Sequence, residues 1–402
     1  MNIKKRRKSI KKRNSHLVIF FCVILITIFV SINVFFENKK DNYFDIVNSL
    51  VSYNEEYVTV GSNNDNKKKL EKAKVSKYNK NKEKVFDKLY NVGFNSKFYG
   101  VINDGSDIVA VGSYEKDEYE SELSHTKALI VKYDENGDII FENDFKILDV
   151  SKFTNIKKVD DGYIVTGQSI SNEKNKSNND GGAILVKYDL DGNLLWSKTY
   201  GDRKSAIFND LLIKDSYIYT VGLLKNNIGV ICKFDLNGNF ISYNDYKYTD
   251  VSGFNSLTLI NNKLYVCGTN KVSENDFNAM IVEYDLDCNY IRQAIYDYNN
   301  SSFSKIISDN HNNLIVIGTK YIKNKANYRK RQKNTDGIIG KYNSNLDEVS
   351  IVTYGDLGED YFTDVKLVDD DYLTIGYSSY DDGSYLSKFI RFSDALKVLE
   401  VE

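Results

Sequence analysis

The sequence predicts an all-β protein built from repeated four-stranded units and preceded by one membrane-spanning helix. Three observations support this. One short pattern recurs seven times from about residue 47 to the last residue. Its apolar runs are rich in Val, Ile and Tyr and are bounded by Gly, Asn and Asp, which is typical of strands and turns. Before the repeats, residues 17–36 form an apolar stretch without a charged residue.

The first half of each copy has an anchor residue followed by a strand that ends in Gly. The anchors are Val47, Phe98, Phe153, Phe208, Phe254, Phe303 and Phe362. The strand-end glycines are Gly61, Gly112, Gly167, Gly222, Gly268, Gly318 and Gly376. Successive glycines are separated by 46 to 58 residues, so each copy has room for four strands.

The second half of each copy has a small residue four positions before a Lys-Tyr-like pair. The pairs are Lys77-Tyr78, Lys132-Tyr133, Lys187-Tyr188, Lys233-Phe234, Glu283-Tyr284, Lys341-Tyr342 and Arg391-Phe392. The small residues are Ala73, Ala128, Ala183, Gly229, Ala279, Gly337 and Ser387. A small residue at a fixed strand position predicts close approach of a neighbouring sheet.

Four strands per copy and a period near 50 residues are typical of propeller blades. We therefore predict a seven-bladed β-propeller with four antiparallel strands per blade over residues 47–402. An open β-solenoid is the alternative architecture. The Asp-x-Asp/Asn-Gly segments between the third and fourth strands predict hairpin turns in which Gly adopts positive φ.

The strings YIVTGQS, AILVKYDLDGNLLWSKTYGD and YLTIGYS resemble bacterial extracytoplasmic β-propeller repeat proteins. That resemblance covers nearly all of residues 47–402 and implies a binding or scaffolding module of the cell envelope. The chain also resembles quinoprotein-like propellers, more weakly, because their blades carry a Trp in the fourth strand. Here Trp196 is the one Trp of the sequence, and we predict no cofactor.

The N-terminal residues predict a membrane anchor. Eight basic residues and no acidic ones lie between residues 4 and 13, and the uncharged stretch 17–36 is long enough to span a bilayer. The basic flank predicts a cytoplasmic tail over residues 1–16, a transmembrane helix over 17–36, a linker over 37–46 and an extracytoplasmic propeller. A cleaved signal peptide is the alternative.

Charge and cysteine content exclude several classes of function. Of the 54 basic residues, 46 lie beyond the tail, and so do all 56 acidic residues, so the chain after the tail has a net charge of about −10. This negative charge argues against nucleic acid as the partner. Cys232 and Cys267 occupy positions held by Val or Ile in other copies and should be buried, whereas Cys288 occupies a turn position and should be exposed. No Cys-x-x-Cys spacing exists, and we predict no metal site.

Two regions are candidates for recognition. Two residues past each anchor the copies differ, and we predict that a ligand site uses four of these positions: Asn155, Asp210, Lys305 and Asp364. Ordinary polar capping of the inner strands is the alternative. The longest loop is basic, and we predict contact with an anionic surface through Lys323, Lys325, Arg329, Lys330 and Arg331.

These features favour a noncatalytic binding or scaffolding role in a bacterial envelope, with another envelope protein or a glycan as the partner. The alternative is a glycan hydrolase or lyase that uses acids such as Asp210 and Asp364. A raised pKa on one of two paired carboxyl groups would favour the enzyme.

Overall fold

Every described secondary-structure element is a β-strand. The computed structural model describes residues 44–401 except for 66–69, 116–125, 172–180, 202–205, 225–227, 247–250, 274–275, 323–334, 356–357 and 381–382. The described strands all belong to one compact unit, Phe44–Glu402. Within the described ranges, no helix is long and apolar enough to cross a membrane. The helix predicted for residues 17–36 lies outside these ranges, and nothing in the described structure supports it.

The described residues form 28 strands, most of them in sheets of four. The first sheet contains β1 (Asp45–Tyr53), β2 (Glu56–Asp65), β3 (Leu70–Tyr78) and β4 (Lys84–Leu89). The next eight strands are β5 (Ser96–Asp104), β6 (Asp107–Glu115), β7 (Thr126–Tyr133), β8 (Ile139–Phe145), β9 (Val150–Val159), β10 (Gly162–Ile170), β11 (Gly181–Tyr188) and β12 (Leu194–Tyr200). They are followed by β13 (Ile207–Lys214), β14 (Tyr217–Leu223), β15 (Gly229–Asp235) and β16 (Phe240–Asp245).

The last three sheets repeat the same arrangement. They contain β17 (Ser252–Ile260), β18 (Lys263–Ser273), β19 (Asp276–Tyr284) and β20 (Tyr290–Tyr296); β21 (Ser301–Ser308), β22 (Leu314–Tyr321), β23 (Thr335–Tyr342) and β24 (Glu348–Tyr354); and β25 (Glu359–Val368), β26 (Asp371–Ser379), β27 (Tyr385–Phe392) and β28 (Val398–Val401). Strands that are consecutive within each set of four pair antiparallel. The chain is thus an all-β propeller.

The prediction of seven separate blades is wrong. Five blades are four-stranded sheets, whereas β5–β12 form one eight-stranded sheet. A parallel bridge between Thr126 and Val150 joins β7 to β9, and the Thr126 N–H donates to the Asp149 carbonyl at 3.1 Å. Side-chain periodicity reports which face of a strand is buried and not which backbone lies beside it, so the repeat pattern could not predict this pairing.

The anchors and the pairs predicted from the sequence pack against each other. In six copies the anchor Phe packs edge-on against the aromatic residue of the Lys-Tyr-like pair in the same copy, with ring centroids 5.9–6.3 Å apart. The small residue makes room for the next anchor: a Cβ at Gly229 would lie 3.1 Å from the Phe254 ring, and one at Gly337 would lie 2.9 Å from Phe362. The predicted close approach of neighbouring sheets therefore occurs at these positions.

In six of the seven pairs the first residue forms an ion pair near the turn between the first two strands of a set, whereas Lys233 pairs with Asp287 in the turn between β19 and β20. Lys77 pairs with Glu56 at 2.8 Å and Lys187 with Asp161 at 2.6 Å. In β19 the charges are exchanged, because buried Glu283 accepts from Lys263 at 2.7 Å. The repeat therefore retains the ion pair even where the Lys is replaced.

The turns between third and fourth strands are hairpins, as predicted, but Cys288 is buried rather than exposed. Gly137, Gly192 and Gly238 have φ of 79°, 84° and 74°, and Cys288 has 65°. A Cβ at Gly192 would lie 2.6 Å from the Phe141 ring, so this turn position faces the preceding set of strands. Cys288 is 1% exposed for that reason. Cys232 and Cys267 are buried, as predicted.

Candidate functional site

A β-bulge directly after each anchor shapes the innermost strand of every set. We call β1, β5, β9, β13, β17, β21 and β25 the inner strands. The register shifts at the residue between the anchor and the predicted site position. Opposite the bulge, a Cβ on the strand-end Gly would lie 1.9–2.0 Å from a backbone oxygen of the inner strand. The repeated glycines are therefore required by the bulges.

The bulged residues connect the inner strands into a circuit. Six of them donate a side-chain hydrogen bond to the carbonyl of an anchor on the next inner strand. These are Asn48 to Phe98, Thr154 to Phe208, Asn209 to Phe254, Asn255 to Phe303, Ser304 to Phe362 and Thr363 to Val47, at 2.6–3.0 Å. The last of these joins β25 to β1, so the inner strands close on themselves and the open solenoid is excluded. The sequence signal, an Asn, Thr or Ser after six anchors, was missed.

Three of the four predicted site residues meet at one carboxylate. Asp210 accepts from the Asn155 amide at 2.5 Å and from the Lys305 ammonium at 2.9 Å. Ser256, a fifth position of the same kind, donates its hydroxyl to Asp210 at 2.5 Å. Lys305 lies on β21 and Asp210 on β13, so this ion pair connects inner strands that are not sequence neighbours. Asp210 is 3% exposed.

The fourth predicted residue, Asp364, is the centre of a second network. Its carboxylate accepts from the Ser49 hydroxyl at 3.0 Å, the Leu50 N–H at 2.9 Å and the Val365 N–H at 2.9 Å. Lys366 pairs with it at 3.2 Å. Asp364 is also 3% exposed, and its donors come from both β25 and β1. This network therefore contributes to closure of the inner circuit.

Both carboxylates are held in the ionised form. Burial alone would raise the pKa of Asp210, but the charges of Lys305 and Lys157 and the Ser256 hydrogen bond outweigh it and lower the pKa. Burial of Asp364 is outweighed in the same way by Lys366, Lys305 and backbone N–H groups, so its pKa is lowered too. Burial of Lys305 is outweighed by the two aspartates, which raise its pKa to about 12.

Lys157 and Lys366 belong to the same cluster and were not predicted. Each lies two residues beyond a predicted site position on its own strand, which is the signal that could have identified them. Burial lowers the pKa of half-buried Lys157 to about 8, and the nearby charges of Lys305 and Lys366 act in the same direction. Among the described residues Lys157 has no ion pair, so three lysines share two aspartates in this cluster.

The predicted basic contact surface cannot be placed. Lys323, Lys325, Arg329, Lys330 and Arg331 lie outside the described residues. Within the described ranges, no group of His, Cys, Asp and Glu is arranged to hold a metal ion.

The fold and this cluster define the class: an all-β propeller with a charged cluster on its inner strands. No family model and no curated protein matches the chain. Solved structures similar to it include Sqt1 from Chaetomium thermophilum, at 10% identity over 86% of this chain and 97% of that one, with a TM-score of 0.47. The β-propeller domain of the Trilobed protease from Pyrococcus furiosus is 9% identical over 90% and 95%, with a TM-score of 0.48. An acylaminoacyl peptidase from Pyrococcus horikoshii is 8% identical over 89% of this chain and 52% of that one, with a TM-score of 0.49.

Proposed function

We propose that the propeller is a noncatalytic binding module that recognises another envelope protein or a glycan. The state of Asp210 and Asp364 is the observation that carries this proposal. A glycan hydrolase needs one carboxyl group with a raised pKa to protonate the leaving oxygen. Both pKa values are lowered here, and the carboxylates are occupied by hydrogen-bond donors of the protein itself.

The fourth strands of the sets, which we call the outer strands, support a binding role as well. Four of them begin with two consecutive large apolar residues, and all eight side chains are 44–54% exposed: Ile139 and Ile140, Leu194 and Leu195, Phe240 and Ile241, Val398 and Leu399. Scattered apolar residues are ordinary on a protein surface, but pairs repeated at the same position of several strands favour contact with a partner.

The proposal includes a cellular location, and the support for that location comes from the sequence alone. The basic residues before position 14 and the uncharged stretch 17–36 favour attachment to a membrane, with the propeller outside the cytoplasm. The basic segment Lys323–Lys333 would then contact anionic headgroups or envelope polymers. Flotation of the full-length chain with vesicles containing anionic lipid, compared with a variant in which these basic residues are Gln, tests that contact.

Turnover assays separate the binding module from the enzyme. The full-length chain is incubated with isolated envelope glycans, and release of reducing ends is followed. We expect none. Release by the wild type that is lost in both Asp210→Asn and Asp364→Asn would contradict the proposal, because it would assign general-acid chemistry to these groups.

Crosslinking in intact envelopes tests binding directly. A photoreactive residue at Leu195, which is 50% exposed, should yield a crosslinked partner. The same residue at Val165, which is buried within β10, is the negative control. Absence of any product from Leu195 and from the other exposed outer-strand positions would count against a binding role.

A further inference from the structure

A cavity lies between the β17–β20 blade and the β21–β24 blade. Its volume is about 550 Å³, within the range of small-molecule sites. The described residues that line it are Thr269, Phe277, Asn300, Ser301, Ser302, Tyr321 and Thr335. Phe277 is 37% exposed, although it is a large aromatic residue. None of these side chains is charged at neutral pH.

The repeat provides an internal comparison for this cavity. The corresponding place between β1–β4 and β5–β8 has the same hydrogen bonds from strand N–H groups to side-chain oxygens. Ser96 accepts the Ala73 N–H at 2.8 Å, as Ser301 accepts the Ala279 N–H at 3.0 Å. Asn95 and Asn300 each accept a strand N–H, from Glu71 and from Phe277, respectively. The two places are therefore equivalent in the fold.

Charged side chains occupy the first of these places. Lys97 pairs with Glu71 at 2.7 Å, and Ser62 donates to the same Glu71 at 2.7 Å. The Asn95 amide nitrogen donates to Glu115 at 2.9 Å. At the cavity, Glu71, Lys97 and Glu115 correspond to Phe277, Ser302 and Tyr321.

This replacement frees hydrogen-bonding groups as well as space. The Asn300 carbonyl oxygen is held by the Phe277 N–H at 2.8 Å, which fixes the amide plane. Its Nδ2 group and the Tyr321 hydroxyl have no partner among the described residues. A fixed donor, a hydroxyl and an exposed aromatic face thus line one cavity that the scaffold does not require.

We propose that this cavity binds a neutral carbohydrate, with a sugar ring against Phe277 and its hydroxyls bonded to Asn300 and Tyr321. The inference rests on the binding function proposed above and names its ligand class. A charged ligand would find no counter-charge among the described lining residues, and a wholly apolar one would leave these polar groups unpaired. An extended peptide could not add to β18 or β19, because both already pair on two sides.

Calorimetry on the full-length chain tests this inference. The probes are trisaccharides of glucose, mannose and N-acetylglucosamine, with a trimer of galacturonic acid and an uncharged Gly-Ser peptide as comparisons. We expect at least one neutral trisaccharide to bind with a Kd of about 1 mM or lower. Phe277→Ala should weaken that binding at least about tenfold, because it removes the aromatic face.

A double variant supplies the matched test. Phe277→Glu with Ser302→Lys copies the Glu71–Lys97 pair, so the fold should be retained and saccharide binding lost. Tyr243→Ala removes an aromatic residue that is 53% exposed on β16, away from the cavity, and should leave binding unchanged. If the double variant does not fold, Phe277→Ala alone decides.

Three results would overturn the inference: no neutral trisaccharide bound at about 10 mM, unchanged affinity in both Phe277 variants, or binding of the peptide or the acidic trimer in preference. A crosslinked envelope partner without saccharide binding would refute this site and leave the binding function standing. Turnover dependent on Asp210 and Asp364, with saccharide affinity at Phe277 intact, would refute the noncatalytic function and leave this site standing.

Discussion

Asp210 accepts hydrogen bonds from several inner strands at once. Its two oxygens accept from groups on β9, β13, β17 and β21. One carboxylate therefore ties four successive inner strands together. A buried charge with this many donors is costly to neutralise, because each donor then loses its acceptor.

Asp210→Asn should destabilise the fold by about 2–4 kcal/mol, because it leaves the Lys305 ammonium without its counter-charge. Urea unfolding at pH 7 measures the change. Asp138→Asn is the control: its pair with Lys88 is at 3.3 Å with both side chains exposed, and its loss should cost less than about 1 kcal/mol. Equal effects of the two variants would show that the inner network contributes no more than a surface pair.

Acid should weaken the fold through the same groups. The pKa values of Asp210 and Asp364 are lowered in the folded state, so their stabilisation is present above the unfolded pKa near 4 and is lost as the pH falls below it. Unfolding free energies measured between about pH 5 and 2 should fall, and Asp210→Asn should fall less steeply. Parallel curves for the two proteins would contradict this assignment.

The Lys157 ammonium should destabilise the fold at neutral pH, whereas the two carboxylates stabilise it. Its folded pKa of about 8 is below the unfolded value, so its charge opposes folding below that pH, and the penalty disappears as the pH rises toward about 10.4. Lys157→Met should stabilise the protein at pH 7 by about 1 kcal/mol, allowing for partial exposure. The variant should also lack the rise in stability above pH 8. Destabilisation by Lys157→Met would mean that the ammonium has a stabilising partner.

At the scale of strands, the bulges show what could be predicted and what could not. The anchors, the strand-end glycines and the small residues follow from side-chain packing, which leaves a repeating pattern in the sequence. The four predicted site positions stand out in the sequence because they vary where the rest of the repeat is constant, and their role as a ligand site stays a prediction. Their partners were not predictable, since the Lys305–Asp210 pair joins β21 to β13, and spacing along one strand carries no information about such contacts. The bridge between Thr126 and Val150 is a backbone pairing and leaves no side-chain signal.

Closure of the inner circuit depends mainly on side chains, because the first and last sheets each consist of consecutive strands and the backbone bridge described between them is the isolated pair Phe44–Tyr385. Thr363→Val removes the bond to the Val47 carbonyl, and Thr154→Val removes the equivalent bond to Phe208. Both should cost about 1–2 kcal/mol, because a carbonyl is left unpaired. Only Thr363→Val should also speed hydrogen exchange in β1 and β27, which meet at the closure. The same exchange pattern in both variants would show that closure is no weaker than the other contacts between inner strands.

At the scale of the whole chain, the cysteines make the proposed address measurable. Cys232, Cys267 and Cys288 are buried, so a thiol reagent should not reach them in the folded protein. With Cys22 replaced by Ser, a new cysteine at Leu399, which is 54% exposed, becomes the one accessible thiol of the folded propeller.

A membrane-impermeant maleimide applied to intact cells should label Leu399→Cys, because the basic tail is expected to remain inside and the propeller outside. A cysteine at Ser9, within the basic tail, should be labelled only after the membrane is permeabilised. Labelling of Leu399→Cys only after permeabilisation would place the propeller in the cytoplasm and remove the basis for an envelope partner.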